Sequence, residues 1–385
     1  MESSAHHRVL QDILASAGVT INGHNPWDIH VHNPRFYQRL FSGGSLALGE
    51  SYMDGWWDCD ALDQFFDRVL RHHLDERVRT GSPQMIWLWL QSQFANLQCG
   101  RASYLVGKRH YDTGNDLFGF MLDRRMIYSC AYWKDASTLD EAQEQKLDLI
   151  CRKIGLEPGM TVLDIGCGWG GFARFAAGRY GAKVHGITVS NEQARYVRET
   201  CEGLDVTVEL IDYRELDRRF DRVVSIGMFE HVGYRHYRTY METARRCLDP
   251  DGLFLLHTIG GNSSAKSTDP WIRKYIFPNS MLPSARQISA AAEGLFVMED
   301  WHNFGAYYDT TLMCWYRNFL EHWDSLKGSY DQRFYRMWVY YLLSCAGSFR
   351  ARRNQLWQVV LSPAGVKGRP YREQYLEPRY DQFQI

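Results

Sequence analysis

Nine cysteines are present, and no two of them stand in a C-x-x-C pair. An odd number of scattered thiols suits neither a disulfide framework nor a zinc site, so free thiols in a reducing cytoplasm and no bound metal are expected. A signal-peptide pattern is missing as well. Net charge is lacking: 44 Lys and Arg against 45 Asp and Glu leave a formal -1, which supplies no basic field for nucleic acid. Long apolar runs are also absent. The nearest, Met85 to Leu90 (MIWLWL), falls far short of the ~18 residues of a membrane span, and no internal repeat or low-complexity tract interrupts the chain.

The chain has 385 residues, 45% hydrophobic and 14% aromatic, enough for a packed core in one large domain or two. Residues 1–105 read as a small, mostly helical domain, with helical spacing over Val9 to Ala17 and Leu62 to Leu70 and a turn at Asn22 to Pro26. Between the last two lies SLALGESYMDGWWDCD, a packed stretch rich in Gly and Trp. A helix starting near Pro83 would share one apolar face among Trp87, Leu88, Leu90, Phe94 and Leu97, a face that suits core packing and also an interfacial contact. The pattern breaks at GKRHYDTGN, so 106–125 reads as a linker before a domain over 126–385.

From Ile150 onward strands and helices alternate. TVLDIGCGWGGF (Thr161 to Phe172) is a short buried strand followed by glycines that bring a ligand close to main-chain N–H groups at a helix N-terminus. After it come a helix to about Tyr180, a strand Lys183 to Thr188 and a helix Asn191 to Cys201 capped by Ser190. Strands at Val206 to Ile211, Arg222 to Ile226 and Gly252 to Gly260, with a helix Tyr237 to Cys247, complete the alternation. That order predicts an α/β domain with a parallel sheet, helices on both faces and a ligand at the carboxyl ends of the strands. A nicotinamide site would carry an acid about 20 residues beyond the glycines. Here the second strand ends in Thr188, Val189 and Ser190, while Asp164 precedes the glycines and Asp212 with Tyr213 ends the third strand. This layout looks like an S-adenosylmethionine-dependent methyltransferase.

Eleven segments carry a closer likeness: ESYMDGWWDCD, HYDTGNDLF, YSCAYW, LDIGCGWGG, GITVSNEQ, SIGMFEHVG, LLHTIG, KYIFPN, MEDWHNFG, YDTTLMCWY and CAGSFRARRNQLWQVV. In these the chain resembles the bacterial cyclopropane fatty acid synthases, relatives of the mycolic acid cyclopropane synthases. The resemblance implies a Rossmann-like S-adenosylmethionine-dependent methyltransferase domain behind a small helical amino-terminal domain, the latter a part that the mycolate enzymes lack. It implies that Tyr128, Ser129, Gly166, Gly168, Thr188, Gln193, Asp212 and Tyr213, with Asp164, hold the cofactor. It also implies a bound bicarbonate as general base, cradled by Cys130, Glu230, His257, Ile259 through its backbone, and Tyr308. The implied substrate is unsaturated acyl chains of membrane phospholipid, met by a homodimer that is cytoplasmic and peripheral to the inner face of the membrane.

The chemistry accords with that set. An isolated alkene is a weak nucleophile, so methylating it requires a methyl group held in line and water kept away, and closing a ring then requires a base. His257, Tyr308 and the Ile259 N–H can donate to an anion, whereas Glu230 would repel one unless a shared proton lies between them. Cys345 stands where these families were long suspected of a catalytic cysteine. No step of methyl transfer to an alkene calls for a covalent adduct, so packing beside an acyl channel is the better reading. Arg71 to Arg79 and Arg350 to Arg353 suit lipid phosphates and solvated helix faces equally. A methyltransferase without ring closure and a lipid-binding protein without catalysis remain the alternatives.

Overall fold

The computed structural model describes residues 2–376 apart from 75–114 and 369. The apolar helix expected near Pro83, the limit at residue 105, most of the 106–125 linker and the basic run beyond Leu74 lie outside the described residues. By internal packing the chain forms two units. One takes the described residues of Met1–Leu97 with Ala265–Ser280 and Gly305–Gln355, the other those of Gln98–Ser264, Met281–Phe304 and Leu356–Ile385.

The first unit is helical. Its amino-terminal helices span Glu2–Ala15, Arg35–Met53 and Leu62–Arg71, and a two-stranded antiparallel ribbon joins β1 (His30–Val31) to β2 (Trp57–Asp58). Both helices expected from spacing form. The third was hidden in sequence by Gly43 and Gly44, and Gly44 interrupts it with φ 57° and ψ -138°. The helix Gln332–Arg350 packs on Leu62–Arg71, on Ala306–Glu321 and on Arg35–Met53. Its close approach to Leu62–Arg71 depends on Gly347, where a Cβ would stand 2.5 Å from the Asp63 carbonyl and 2.6 Å from Phe66 Cβ. At its end the Arg350 guanidinium donates to Asp309 at 2.8 and 2.9 Å and to Asp63 at 2.6 Å. Arg350 is therefore held by two carboxylates, which corrects both readings of it as a lipid-phosphate contact or a solvated residue.

The second unit is built on a seven-stranded sheet. Its strands are β3 (Thr161–Ile165), β4 (Lys183–Thr188), β5 (Val206–Leu210), β6 (Phe220–Ile226), β7 (Leu248–Gly261), β8 (Val297–Asn303) and β9 (Asn354–Ser362), in the spatial order β5-β4-β3-β6-β7-β9-β8. The first five run parallel and are the five expected from sequence, while β8 pairs antiparallel with β9. Side chains alternate between two cores, as a strand period of 2 requires. Leu163, Ile165, Phe254, Leu256, Val359 and Leu361 face the helices Tyr237–Arg246 and Ala285–Ala292. Val162, Leu253, Leu255 and Val360 face the helices Leu139–Lys153 and Gly171–Tyr180. Thr138 and Glu141 close a reciprocal capping box at the start of Leu139–Lys153, and Ser190 caps Asn191–Thr200 as expected.

Candidate active site

The strand order reverses between β3, which turns outward to β4 and β5, and β6, which leads to β7. A doubly wound sheet opens a crevice at such a point, at the carboxyl ends of the strands. The structure has a cavity there of about 1300 Å³, its open mouth included. Tyr128, Ser129, Asp164, Gly166, Gly168, Thr188, Gln193, Asp212 and Tyr213 all line it. Three of these come from the β3 end, Thr188 ends β4 with Gln193 just beyond it, two follow β5, and Tyr128 and Ser129 come from the segment before Leu139–Lys153.

The turn after β3 is shaped by left-handed glycines. Gly166 has φ 83° and Gly168 φ 53°, and a Cβ at Gly168 would meet no protein atom within 4 Å. That open space beside exposed backbone suits a ligand lying on the turn. Thr188 Oγ1 donates to Gln193 Oε1 at 2.8 Å and accepts from the Ser190 N–H at 3.1 Å, so it closes the strand end and fixes Gln193 at once. Burial alone would raise the Asp212 pKa, but hydrogen bonds from Arg214 pull it below the usual carboxylate value.

Beneath the turn lies a group of buried charges. Lys146 is fully buried on Leu139–Lys153, and its Nζ donates to Ser129 Oγ at 2.8 Å. Desolvation lowers its pKa to about 8 against the opposing pull of Asp123, Cys130 and Asp164. Asp164 points to the same face of the sheet as Val162. Burial pushes it up to about 7 although Lys146 draws it down, and its Oδ1 has no hydrogen-bond partner. Such an atom in a cavity wall suits a ligand that brings its own cation or donor. The residues present thus fit S-adenosylmethionine, of which Asp164 would hold the ammonium group, Ser129 and Lys146 the carboxylate, and the strand ends the nucleoside.

A second cluster lies at the ends of β6 and β7. Glu230 sits in the 3-10 turn Phe229–His231, where its Oε1 accepts from the Ile259 N–H at 2.7 Å. Its Oε2 is buried without a partner, and burial raises the carboxyl pKa to about 7. Ile259, expected to turn its N–H to an anion, has that N–H engaged by Glu230. His257, two residues earlier on β7, is completely buried, and its Nε2 has no hydrogen-bond partner. Burial, reinforced by Lys146 and Lys153, keeps its pKa well below the ordinary 6.5. Cys130 is fully buried and donates to the Ala131 carbonyl at 3.3 Å. Lys146 lies within electrostatic reach of Cys130, Asp164 and His257, so one ammonium group influences both clusters. His257 Nε2 and Glu230 Oε2 are thus two buried polar atoms without a hydrogen-bond partner, the first on a neutral imidazole and the second on a weakly acidic carboxyl, groups of the kind that can bind a small anion carrying a proton.

Tyr308 and Cys345 belong to the first unit. Tyr308 is buried on Ala306–Glu321 with its ring 4.5 Å from that of Phe349. Cys345 is on Gln332–Arg350, where burial and then Asp269 raise its thiol pKa to about 12, a poor setting for a nucleophile. Sequence reasoning missed Lys146. Lys146 had a legible signal, since it shares the helical spacing of buried Ala142, Leu149 and Ile150.

Residues 101–359 match the family model described as mycolic acid cyclopropane synthetase. A cyclopropane-fatty-acyl-phospholipid synthase of Escherichia coli K12 is 54% identical over 92% of this chain and 93% of its own. A probable fatty acid methyltransferase of Pseudomonas putida is 38% identical over 65% of this chain and 67% of its own. Among solved structures, a mycolic acid cyclopropane synthase complexed with SAH and CTAB has a TM-score of 0.63, with 33% identity over 67% of this chain and 97% of that one.

Proposed function

From the premise that the chain belongs to the cyclopropane synthetase family of S-adenosylmethionine-dependent enzymes, we propose that it builds cyclopropane rings across cis double bonds of acyl chains in membrane phospholipids. The observation that carries this reading is the 54% identity to the Escherichia coli phospholipid-modifying relative over 92% of the chain. The methylene carbon comes from the donor's sulfonium methyl group. Gly166, Gly168 and the ends of β4 and β5 hold the nucleoside, and Tyr128, Ser129, Lys146 and Asp164 hold the amino-acid end. Held at both ends, the donor presents its methyl group in one direction, and a poorly nucleophilic alkene needs that alignment.

Bicarbonate would supply the base that takes a proton from the transferred methyl group. In this reading Glu230 Oε2 accepts the proton that the anion carries, and His257 donates to one of its oxygens. Cys130 completes the cradle, and the Ile259 N–H acts on it only by holding Glu230 Oε1. The weak acidity of Glu230 supports the assignment, because a carboxyl with a pKa of about 7 can share a proton with a neighbouring anion where an ordinary carboxylate would repel it.

The substrate is reached by peripheral docking on the cytoplasmic face of the membrane. Among the described residues no helix is long and apolar enough to cross one. Homodimerisation and a docking role for the domain expected over residues 1–105 are part of the same proposal, with the chemistry assigned to 126–385. The Pseudomonas relative favours a second reading, methylation without ring closure. To separate the two, unsaturated phospholipid vesicles are incubated with the donor and the fatty esters analysed by mass spectrometry and NMR. Ring formation gives esters one methylene heavier that resist hydrogenation. A branched or alkene product would select the second reading, and unchanged chains with donor bound would overturn both.

A further inference from the structure

Tyr128 and Ser129 line the cofactor cavity from a stretch, 122–138, that is neither helix nor strand. With no ladder of its own, its buried backbone must find partners elsewhere. Side chains supply several. Asp123 Oδ1 accepts from the Ile127 N–H at 2.8 Å and Oδ2 from the Arg125 N–H at 3.0 Å, while Arg174 donates to the Arg125 carbonyl at 3.0 Å. Gln143, completely buried, donates from Nε2 to the Ser129 carbonyl at 2.9 Å and more weakly to the Ile127 carbonyl at 3.4 Å. Both partners are carbonyl oxygens, which only accept, so the amide nitrogen must be the atom that faces them. Reversed, Oε1 would meet two oxygens. The arrangement leaves Oε1 buried without a partner, a penalty that counts against a role in stability alone.

The two carbonyls flank Tyr128, and one turn along the same helix Lys146 Nζ grips the Ser129 hydroxyl at 2.8 Å. On its other side the stretch lies against the start of Gly171–Tyr180, where a Cβ on Gly171 would stand 2.7 Å from Ile127 Cγ1 and 2.9 Å from the Arg125 carbonyl. It is therefore clamped between Leu139–Lys153 and the helix that follows the glycine turn. We infer that Gln143 is a positioning residue for the methyl donor, which fixes Tyr128 and Ser129 as the wall against the donor's amino-acid end. The inference rests on the donor reading above and deepens it. Gln143 does not line the cavity and acts through the two carbonyls it holds. Without it Tyr128 and Ser129 lose their register against Lys146 and Asp164, while Thr188, Gln193 and Asp212 still meet the nucleoside. The defect falls on one end of the donor.

Calorimetric titration of the full-length protein with two ligands tests this. S-adenosylhomocysteine has both ends of the donor, and 5′-methylthioadenosine keeps the nucleoside and lacks the amino-acid end. In Gln143→Met, close in shape and without an N–H to donate, the Kd for S-adenosylhomocysteine is expected to rise about tenfold while that for 5′-methylthioadenosine stays within about twofold. Gln143→Asn, whose amide stops one methylene short of the carbonyls, should show the same split. Equal losses for the two ligands, or no loss for either, in a variant that melts as the wild type does would overturn the inference alone. Failure of both variants to fold would reduce Gln143 to a structural residue. A wild type that binds neither ligand would overturn the donor reading and this inference with it.

Discussion

Replacing Glu230 by Gln removes one charge and keeps an acceptor for the Ile259 N–H, so its effect on stability isolates the burial of that charge. The carboxyl pKa rises from 4.5 to about 7 on folding, through burial. Below about pH 4.5 both folded and unfolded chains hold the proton, and Glu230 then costs no charge burial. As pH rises through about 7 the folded state must release a proton that the unfolded state has already lost, and stability falls. At ~1.4 kcal/mol for each tenfold in proton affinity, the loss reaches ~3 kcal/mol on the alkaline side. Asp164, raised to about 7 for the same reason, adds a similar loss, but it is common to both proteins and cancels in the comparison. Paired urea titrations at about pH 4.5 and about pH 8.5 should therefore show Glu230→Gln gaining ~3 kcal/mol relative to wild type between the two. Turnover should be severely reduced throughout while S-adenosylhomocysteine binding persists. A difference that stays constant with pH would refute the reasoning, because Oε2 would then have a partner that compensates its charge.

Gly168→Val should abolish binding of S-adenosylhomocysteine in calorimetric titration, since the residue needs φ 53° and its Cβ would enter space that no protein atom fills; an unchanged Kd would place the donor elsewhere. Lys146→Met removes the charged donor to Ser129 Oγ and is expected to weaken donor binding about tenfold, the worth of one charge-assisted hydrogen bond of ~1.4 kcal/mol. Equal affinities in the two proteins would assign Lys146 to structure alone. Cys345→Ala should retain at least about a third of turnover, because a thiol pKa of about 12 leaves roughly one molecule in 10⁵ as thiolate at neutral pH. Inactivity in a well-folded Cys345→Ala protein would restore the nucleophile.

Five of the seven sheet strands were legible because each is a short apolar run ending in glycine or polar residues between helical patterns. β8 was not, since Val297, Met298 and Asn303 are exposed and the strand has no clean alternation. β9 is buried at eight of its nine positions, so it too lacks the polar-apolar period that marks a strand. The cofactor cavity was readable for a related reason: its residues sit at strand ends, where motif and topology coincide. Lys146 escaped because a lysine is ordinarily assigned to solvent. Gln358 meets His257 across 101 residues of sequence, a proximity that only the sheet order discloses. Arg350 looked like a free cation in a basic run, and nothing local announces the carboxylates of Asp63 and Asp309 that hold it.

The placement of β9 between β7 and β8 bears on how the chain is made. β8 emerges from the ribosome some fifty residues ahead of the strand it pairs with, and in the interval its hydrogen-bonding edge has no mate. The polypeptide also crosses from the sheet unit to the helical one near residues 265 and 305 and returns near 281 and 356, so neither unit can be finished before about residue 355 has been made. Assembly of either is thus expected to be late and slow, dominated by contacts distant in sequence, and a chain truncated before Asn354 should accumulate as an unfinished, aggregation-prone intermediate.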